Sequence, residues 1–488
     1  MAEESQSSTR AADGVRRRDV MTGASLLLAA AAASSAPAQA QAPARTPVLG
    51  GGGGGQIFWT AETSAGKVQG IANGAIKEFK GIPYGAPTGG KNRYMPPKKP
   101  ARWNGVRDCI GYGNISPQTP ASLAGEYAMM IMWDRNVGPG GMGEDQLNLN
   151  VWTPGVNDNG KRPVLVSFHG GGWATGSGNA PGFDGAQLSR FGDVVVVTVN
   201  HRLSSFGYLN LKDLGAPDDF AFAGVCGVMD MAASLEWVRD NIANFGGDPN
   251  RVMIFGQSGG GAKTSVLMGA PAAKGLFHRA AVQSGSALRV TAADRGAAAA
   301  EKFLAALGID KKNIGAIQRK SWQELLDAQT KAGAGFSPVL DGTYLPHHPF
   351  DPSAPLESQD VPMIVSTTLQ DAALGLTNFD LDEAGLRKII AARFGDKANA
   401  IVDAYRKAKP NQSPFLTQAE IFTDATRRNA IMQAERKAAL KRAPAYLYQW
   451  DWASSAFDGK FGAVHGTDVS ASFHNVRDQM LSAGSSEG

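Results

Sequence analysis

Several short apolar runs, each ending in small or polar residues, organise the middle of the chain. Residues 163–168 run into His169-Gly170-Gly171-Gly172-Trp173. Residues 194–199, all valine but for Thr198, run into Asn200-His201-Arg202-Leu203. Val252-Met253-Ile254-Phe255 runs into Gly256-Gln257-Ser258-Gly259-Gly260, and the run from Val361 leads through a loop to Asp371. Runs of this length fit strands, and the β-branched run at 194–199 fits a central, parallel strand buried on both faces. Residues 144–152 alternate polar and apolar, which predicts a strand with one face buried. Residues 66–71 and 75–79 read as a hairpin of edge strands, and residues 446–452 as a later strand. Helical spacing places Met231, Leu235, Val238, Ile242 and Phe245 on one face of a helix over 230–245. A further helix follows the serine over 262–268. Ser321 with Glu324 forms a capping box that opens a helix at Trp322. Residues 417–442 carry a long, charged, amphipathic pattern. Strand, loop, strand, helix, strand is the rhythm of an α/β fold with a doubly wound sheet. The second-half helices read as a helical cap region beside it.

The 488 residues, 43% hydrophobic and 19% charged, fit an ordinary globular protein with a large core. A net charge of +4, without a basic cluster interleaved with aromatics, argues against a nucleic-acid partner. The two cysteines, Cys109 and Cys226, supply neither a disulfide framework nor a metal motif and read as buried free thiols. Residues 1–42 have the layout of an export signal: Arg16-Arg17-Arg18, an apolar run over 24–33, and Ala38-Gln39-Ala40 as a small-x-small cleavage site. The pattern resembles a bacterial twin-arginine signal, so the expected location is periplasmic or secreted. The apolar run is too short and alanine-rich to span a bilayer, and no stable membrane anchor is expected. Residues 43–56, with the run Gly50 to Gly55, form a glycine-rich linker, and residues 57–488 the folded domain.

The chemistry centres on G-x-S-x-G at residues 256–260. A serine between a buried strand and a helix is a nucleophile elbow, where a tight turn exposes the hydroxyl. Three glycines after the strand at 163–168 let backbone N–H groups converge where negative charge develops on a carbonyl oxygen during acyl transfer. A serine needs a base, and the chain has seven histidines. His169 belongs to the glycine loop, His201 to a strand end, His278 to a helix start, and His347 and His348 to a Pro-flanked loop. His465 and His474 remain. The charged pair His201 and Arg202 reads as structural.

These segments resemble the type-B carboxylesterases, the cholinesterase-like branch of the α/β-hydrolases, in their bacterial, para-nitrobenzyl-esterase-like form. The likeness is carried, in order, by residues 79–84, 103–108, 144–152, 169–173, 199–203 and 241–249. The elbow, Gly275-Leu276-Phe277 and Gln283-Ser284-Gly285-Ser286 complete it. The resemblance spans residues 66–473. It implies an α/β-hydrolase fold, with a mostly parallel mixed sheet flanked by helices, and hydrolysis of a small-molecule ester without metal or organic cofactor. Ser258 would be the nucleophile. His465, in Gly462-Ala463-Val464-His465-Gly466-Thr467-Asp468, fits the family's histidine loop, with His474 as the alternative. Asp371 fits the triad carboxylate, usually a glutamate. Asp380 and Asp382 are alternatives, and Asp341 belongs to a separate block. The N–H groups of Gly171, Gly172 and Gly259 would form the oxyanion hole, and Trp173 and Gln257 would contact substrate. Gly259 stands where the family usually has alanine, which predicts a more mobile turn. Ser116 and Gln146 stand where many members carry a disulfide. The loop between them, with Met129, Met130, Ile131, Met132 and Trp133, is expected to be an unclamped apolar wall. The family usually continues beyond the histidine loop, so the domain reads as C-terminally truncated. Amide or carbamate hydrolysis would use the same residues, and a non-catalytic cholinesterase-like binding protein is a third reading.

Overall fold

The computed structural model describes residues 55–119 and 140–475. The segment expected to be an export signal, nearly all of the expected linker, Met129 to Trp133 and the residues after Asn475 lie outside them. An 11-stranded sheet dominates. In chain order its strands are β1 (Phe58–Glu62), β2 (Lys67–Asn73), β3 (Ile76–Pro83), β4 (Val106–Asp108), β5 (Asn148–Thr153), β6 (Arg162–Phe168), β7 (Val195–Val199), β8 (Gly247–Gln257), β9 (Arg279–Gln283), β10 (Met363–Thr368) and β11 (Ala445–Trp450). Their spatial order is β1-β2-β3-β5-β7-β6-β8-β9-β10-β11, with β4 paired on β2. From β1 to β7 neighbours are antiparallel, and from β7 to β11 they are parallel. The expected mixed, mostly parallel sheet is present. The valine-rich β7 is fully buried at the junction of the two halves, antiparallel to β5 and parallel to β6.

The strands β6, β7 and β8 supply Val164, Val166, Val195, Val197, Val199, Val252 and Ile254 to the main core. Each such side chain, fully buried, contributes about 1.5–3 kcal/mol before entropy is counted. Helix α1 (Cys226–Asn241) packs there through Met231, Leu235 and Val238, with Ile242 and Phe245 buried in the 3-10 turn that follows. Helix α2 (Gly259–Met268) begins directly after the serine, three residues earlier than the sequence pattern suggests. The capping box at Ser321 and Glu324 is present and opens the helix Trp322–Ala332. The long pattern becomes α3 (Pro414–Ala439), capped by the Ser413 side chain. A small cluster of Ala373, Phe415, Ala419, Phe461 and Val464 joins α3 to the turn after β10 and to the histidine loop. A second cluster packs the helices Glu383–Phe394 and Ala398–Ala408 against Ile421 of α3.

Two expectations need correction. The edge of the sheet is β1, so the hairpin β2–β3 lies inside it. Strand β5 is buried on both faces, not one. Its polar positions satisfy neighbouring loops instead of water. Asn150 bonds Gly81 N at 2.9 Å and Thr198 Oγ1 at 3.0 Å, Asn148 bonds Asn114 O at 2.8 Å, and Thr153 bonds Phe245 O at 2.7 Å. A buried polar side chain is stable when it is partnered in this way.

Candidate active site

The parallel strands end on one edge of the sheet, where open α/β folds place their sites. Strand β6 delivers the His169 loop there, β8 delivers Ser258, β9 delivers Ser284, and β10 delivers the turn that holds Asp371. Ser258 has φ 60° and ψ −123°, a conformation that costs a non-glycine residue free energy and marks the elbow. The motif's glycines are steric requirements. A side chain on Gly260 would run into the carbonyl of Phe168, and one on Gly256 would meet Gly260 and the same carbonyl. The Ser258 N–H donates to Gln283 O at 2.8 Å, fixing the turn on β9.

The histidine loop is tied to β10 by paired bonds. Gln370 N donates to Ala463 O at 3.0 Å, and Ala463 N donates to Gln370 Oε1 at 2.7 Å. This sets His465 Nδ1 2.8 Å from Asp371 Oδ1. Asp371 is buried, and its other oxygen accepts from Thr368 Oγ1 at 3.0 Å. Burial alone would raise its carboxyl. The charge and hydrogen bond of His465, with hydrogen bonds from Ser284 and Thr368, outweigh burial and hold it below the usual carboxylate range. Burial pulls His465 the other way, but the Asp371 charge and hydrogen bond, helped by Asp468, keep the imidazolium above its ordinary value.

The alternatives are occupied elsewhere. His474 stacks on Phe191, with ring centroids 4.2 Å apart. Asp341 accepts the backbone N–H groups of Thr343, Tyr344 and Leu345. Asp382 caps the helix Glu383–Phe394 through Gly385 N at 2.7 Å. Asp380 is exposed. Arg202 forms a fully buried, two-pronged pair with Asp230, at 2.8 and 2.6 Å, which fits its structural reading.

The glycine loop adopts left-handed backbone at Gly171 (φ 85°) and Gly172 (φ 62°). The Gly171 carbonyl closes the turn by accepting from Thr175 N at 3.1 Å. Gly259 is the first residue of α2, so its N–H is one of the donors a helix leaves unpaired. A side chain on Gly259 would collide with the Gly172 backbone, so loop and elbow meet backbone to backbone. Trp173 is half-buried and lies edge-on to Tyr208, ring centroids 5.3 Å apart. Gln257 is 2% exposed and lies beside Phe183, Phe255 and Phe473, its amide unpartnered among the described residues. Ser116 and Gln146 are both buried. Ser116 Oγ accepts from Leu203 N at 3.2 Å and Gln146 bonds Thr88 Oγ1 at 3.2 Å, so hydrogen bonds stand where the resemblance implies a disulfide elsewhere in the family.

Three residues of the site were not singled out from the sequence. Gln283, which accepts from Ser258 N, also donates through Nε2 to Asp468 Oδ2 at 3.2 Å, so one residue links the serine turn to the histidine loop. Asp468 is 1% exposed, and burial pushes its carboxyl up to about 7. Lys263 of α2 is fully buried and donates to His169 O at 2.8 Å. Asp468 lies inside the recognised histidine loop, where its acidity was visible and its burial was not. A lysine within an otherwise small and apolar helix was the available signal for Lys263.

The half-antiparallel, half-parallel sheet, with a strained serine turn after a central strand and a histidine–carboxylate pair beyond it, defines an α/β-hydrolase. The chain belongs to the carboxylesterase family, whose model matches residues 59–482. It is 32% identical over 406 residues to the para-nitrobenzyl esterase of Bacillus subtilis, covering 80% of this chain and 78% of that protein. It is also 32% identical over 432 residues to phenmedipham hydrolase of Pseudarthrobacter oxydans, covering 85% and 83%. Among solved structures it superposes on the carboxylesterase EST55 of Geobacillus stearothermophilus with a TM-score of 0.72 and 31% identity, over 88% of this chain and 86% of that one.

Proposed function

We propose that the protein hydrolyses carboxylic esters through an acyl-enzyme, with Ser258 as nucleophile, His465 as base and Asp371 as the acid that holds it. The 2.8 Å contact between His465 Nδ1 and Asp371 Oδ1, on the sheet edge that also carries the elbow, supports this reading most directly. In this reading His465 Nε2 takes the serine proton as Ser258 Oγ attacks the ester carbonyl. The oxyanion would be held by the N–H groups of Gly171, Gly172 and Gly259. His465 then returns the proton to the departing alcohol. Water attacks the acyl-serine by the same route, releasing the acid and restoring the serine.

The test is active-site labelling with a fluorophosphonate, alongside turnover of a short-chain aryl ester. The wild type is expected to label once and turn over. Ser258→Ala is expected to lose the label and at least about 10³-fold in kcat. A label that persists on Ser258→Ala would move the nucleophile elsewhere. A wild type that neither labels nor turns over would favour a binding protein. Matched amide and carbamate substrates, and phenmedipham, the compound named in one relative, separate ester hydrolysis from the alternatives that use the same residues.

A further inference from the structure

Lys263 is fully buried, with no carboxylate partner among the described residues. Burying an unpaired ammonium is costly, and a methionine would fill the same volume without that cost. Burial alone drives its amine well below the ordinary lysine value. Among the described residues its one hydrogen bond is the donation from Nζ to His169 O at 2.8 Å. His169 opens the glycine loop, and its ring stacks on His201 with centroids 4.9 Å apart. The Lys263 Nζ also lies 5.9 Å from the centre of the Trp173 ring at the loop's far end. The lysine therefore reaches both ends of the loop from the helix that carries Ser258 at its start. Two more contacts join the same pieces. Gly259 abuts Gly172, and Gly260 abuts the Phe168 carbonyl, each without room for a side chain. The loop and the elbow helix are thus docked by two bare glycines and one buried donor.

We infer that Lys263 is a positioning residue for the oxyanion loop: by holding the His169 carbonyl on the elbow helix, it fixes the Gly171 and Gly172 N–H groups relative to Ser258. The inference rests on the esterase reading above. Lys263 touches no reacting atom in it. It acts through the placement of donors that are worth most when preorganised.

The test variant is Lys263→Met, which keeps an unbranched apolar stem of similar volume and removes the donor. Rates are taken per fluorophosphonate-titrated site with a short-chain aryl ester. An aryl trifluoromethyl ketone, which adds the serine to form a tetrahedral oxyanion, is compared with the matching secondary alcohol, which cannot. The variant is expected to lose about ten- to a hundredfold in kcat with KM within about twofold. Its affinity for the ketone should fall in proportion, and its affinity for the alcohol should hold. Lys263→Gln, which retains an N–H donor, should recover part of the loss. Wild-type kcat and ketone affinity in Lys263→Met would overturn the inference while leaving the esterase reading intact. Failure of both variants to give soluble, folded protein would also overturn it, because the lysine would then be a structural support. A wild type that neither labels nor hydrolyses ester would remove the esterase reading, and this inference with it.

Discussion

At His465 burial and two carboxylates act in opposite directions on the protonation of the imidazole. In the proposed mechanism the imidazole must be neutral to accept the Ser258 proton, and Asp371 and Asp468 both favour its charged form. The acid limb of kcat/KM is therefore expected above the ordinary imidazole value. Asp468→Asn removes one of those charges and is expected to move the limb to lower pH; a limb that stays put would show that Asp468 does not act on His465. Asp468 has a second signature. Its folded carboxyl titrates at about 7, above the ordinary 3.8, so the folded state keeps a proton that the unfolded chain releases. That stabilisation is present at low pH and is lost as pH rises through about 7, so the wild type should melt lower at about pH 8 than at about pH 5, and Asp468→Asn should flatten the difference. Asp371→Asn, which cannot hold the imidazolium, is expected to lose on the order of 10³–10⁴-fold in kcat. At this scale the sequence was legible where chemistry is local. A serine flanked by glycines, and a histidine and an aspartate in segments resembling known blocks, are the residues brought to one edge. Gln283, Asp468 and Lys263 were not legible as a set, because the contacts of Lys263 with His169 and of Gln283 with Asp468 join segments about 90 to 190 residues apart, which no local pattern records.

Elements place those residues, and the tightest junction lies between the glycine loop and α2. The family resemblance suggests a mobile turn at Gly259, but the surroundings argue the reverse. The Gly172 backbone occupies the space an alanine methyl would need, so the glycine permits contact and the contact restrains the turn. Gly259→Ala is expected to force the loop away, at a cost of about 1–3 kcal/mol in stability and with a fall in kcat, checked by thermal melting and by turnover per labelled site. Unchanged melting and turnover would mean that the loop already sits elsewhere in solution. The strands themselves were read well where burial is two-sided and apolar, as in β7. The error at β5 has a definite cause: asparagine and threonine alternate there as solvent-facing residues would, yet they are buried and bonded to loops. The start of α1 was missed for another reason. Gly227 lies in its first turn, and glycine is a poor helix former, so the helical pattern reads as opening later. The residue is needed because a side chain there would strike the Tyr208 ring.

Across the whole molecule, the core runs through both halves of the sheet. Cys109 packs in the same cluster as Val68 and Phe79 of the antiparallel half and Val164 and Val252 of the parallel half, and Phe79 meets Phe245 edge-on with centroids 5.0 Å apart. Cys226 begins α1, its thiol directed at Phe222 O at 3.2 Å, between Val225 and Val228 of that cluster. Both thiols are buried and free. Burial pushes Cys109 up to about 12 and Cys226 up to about 11, and a protonated, covered thiol is a poor nucleophile. Neither should react with a thiol reagent in the native protein, and reductant should leave the melting temperature unchanged. Because Cys109 follows β4 and Cys226 begins α1, the two buried thiols serve as independent reporters of the core's cooperativity. In rising denaturant both are expected to become reactive in a single transition, together with the loss of ester turnover. Earlier exposure of Cys109 would show that the antiparallel half opens on its own. The parallel half, which carries Ser258, Asp371 and His465, would then have to be stable without it, and turnover would survive the first step.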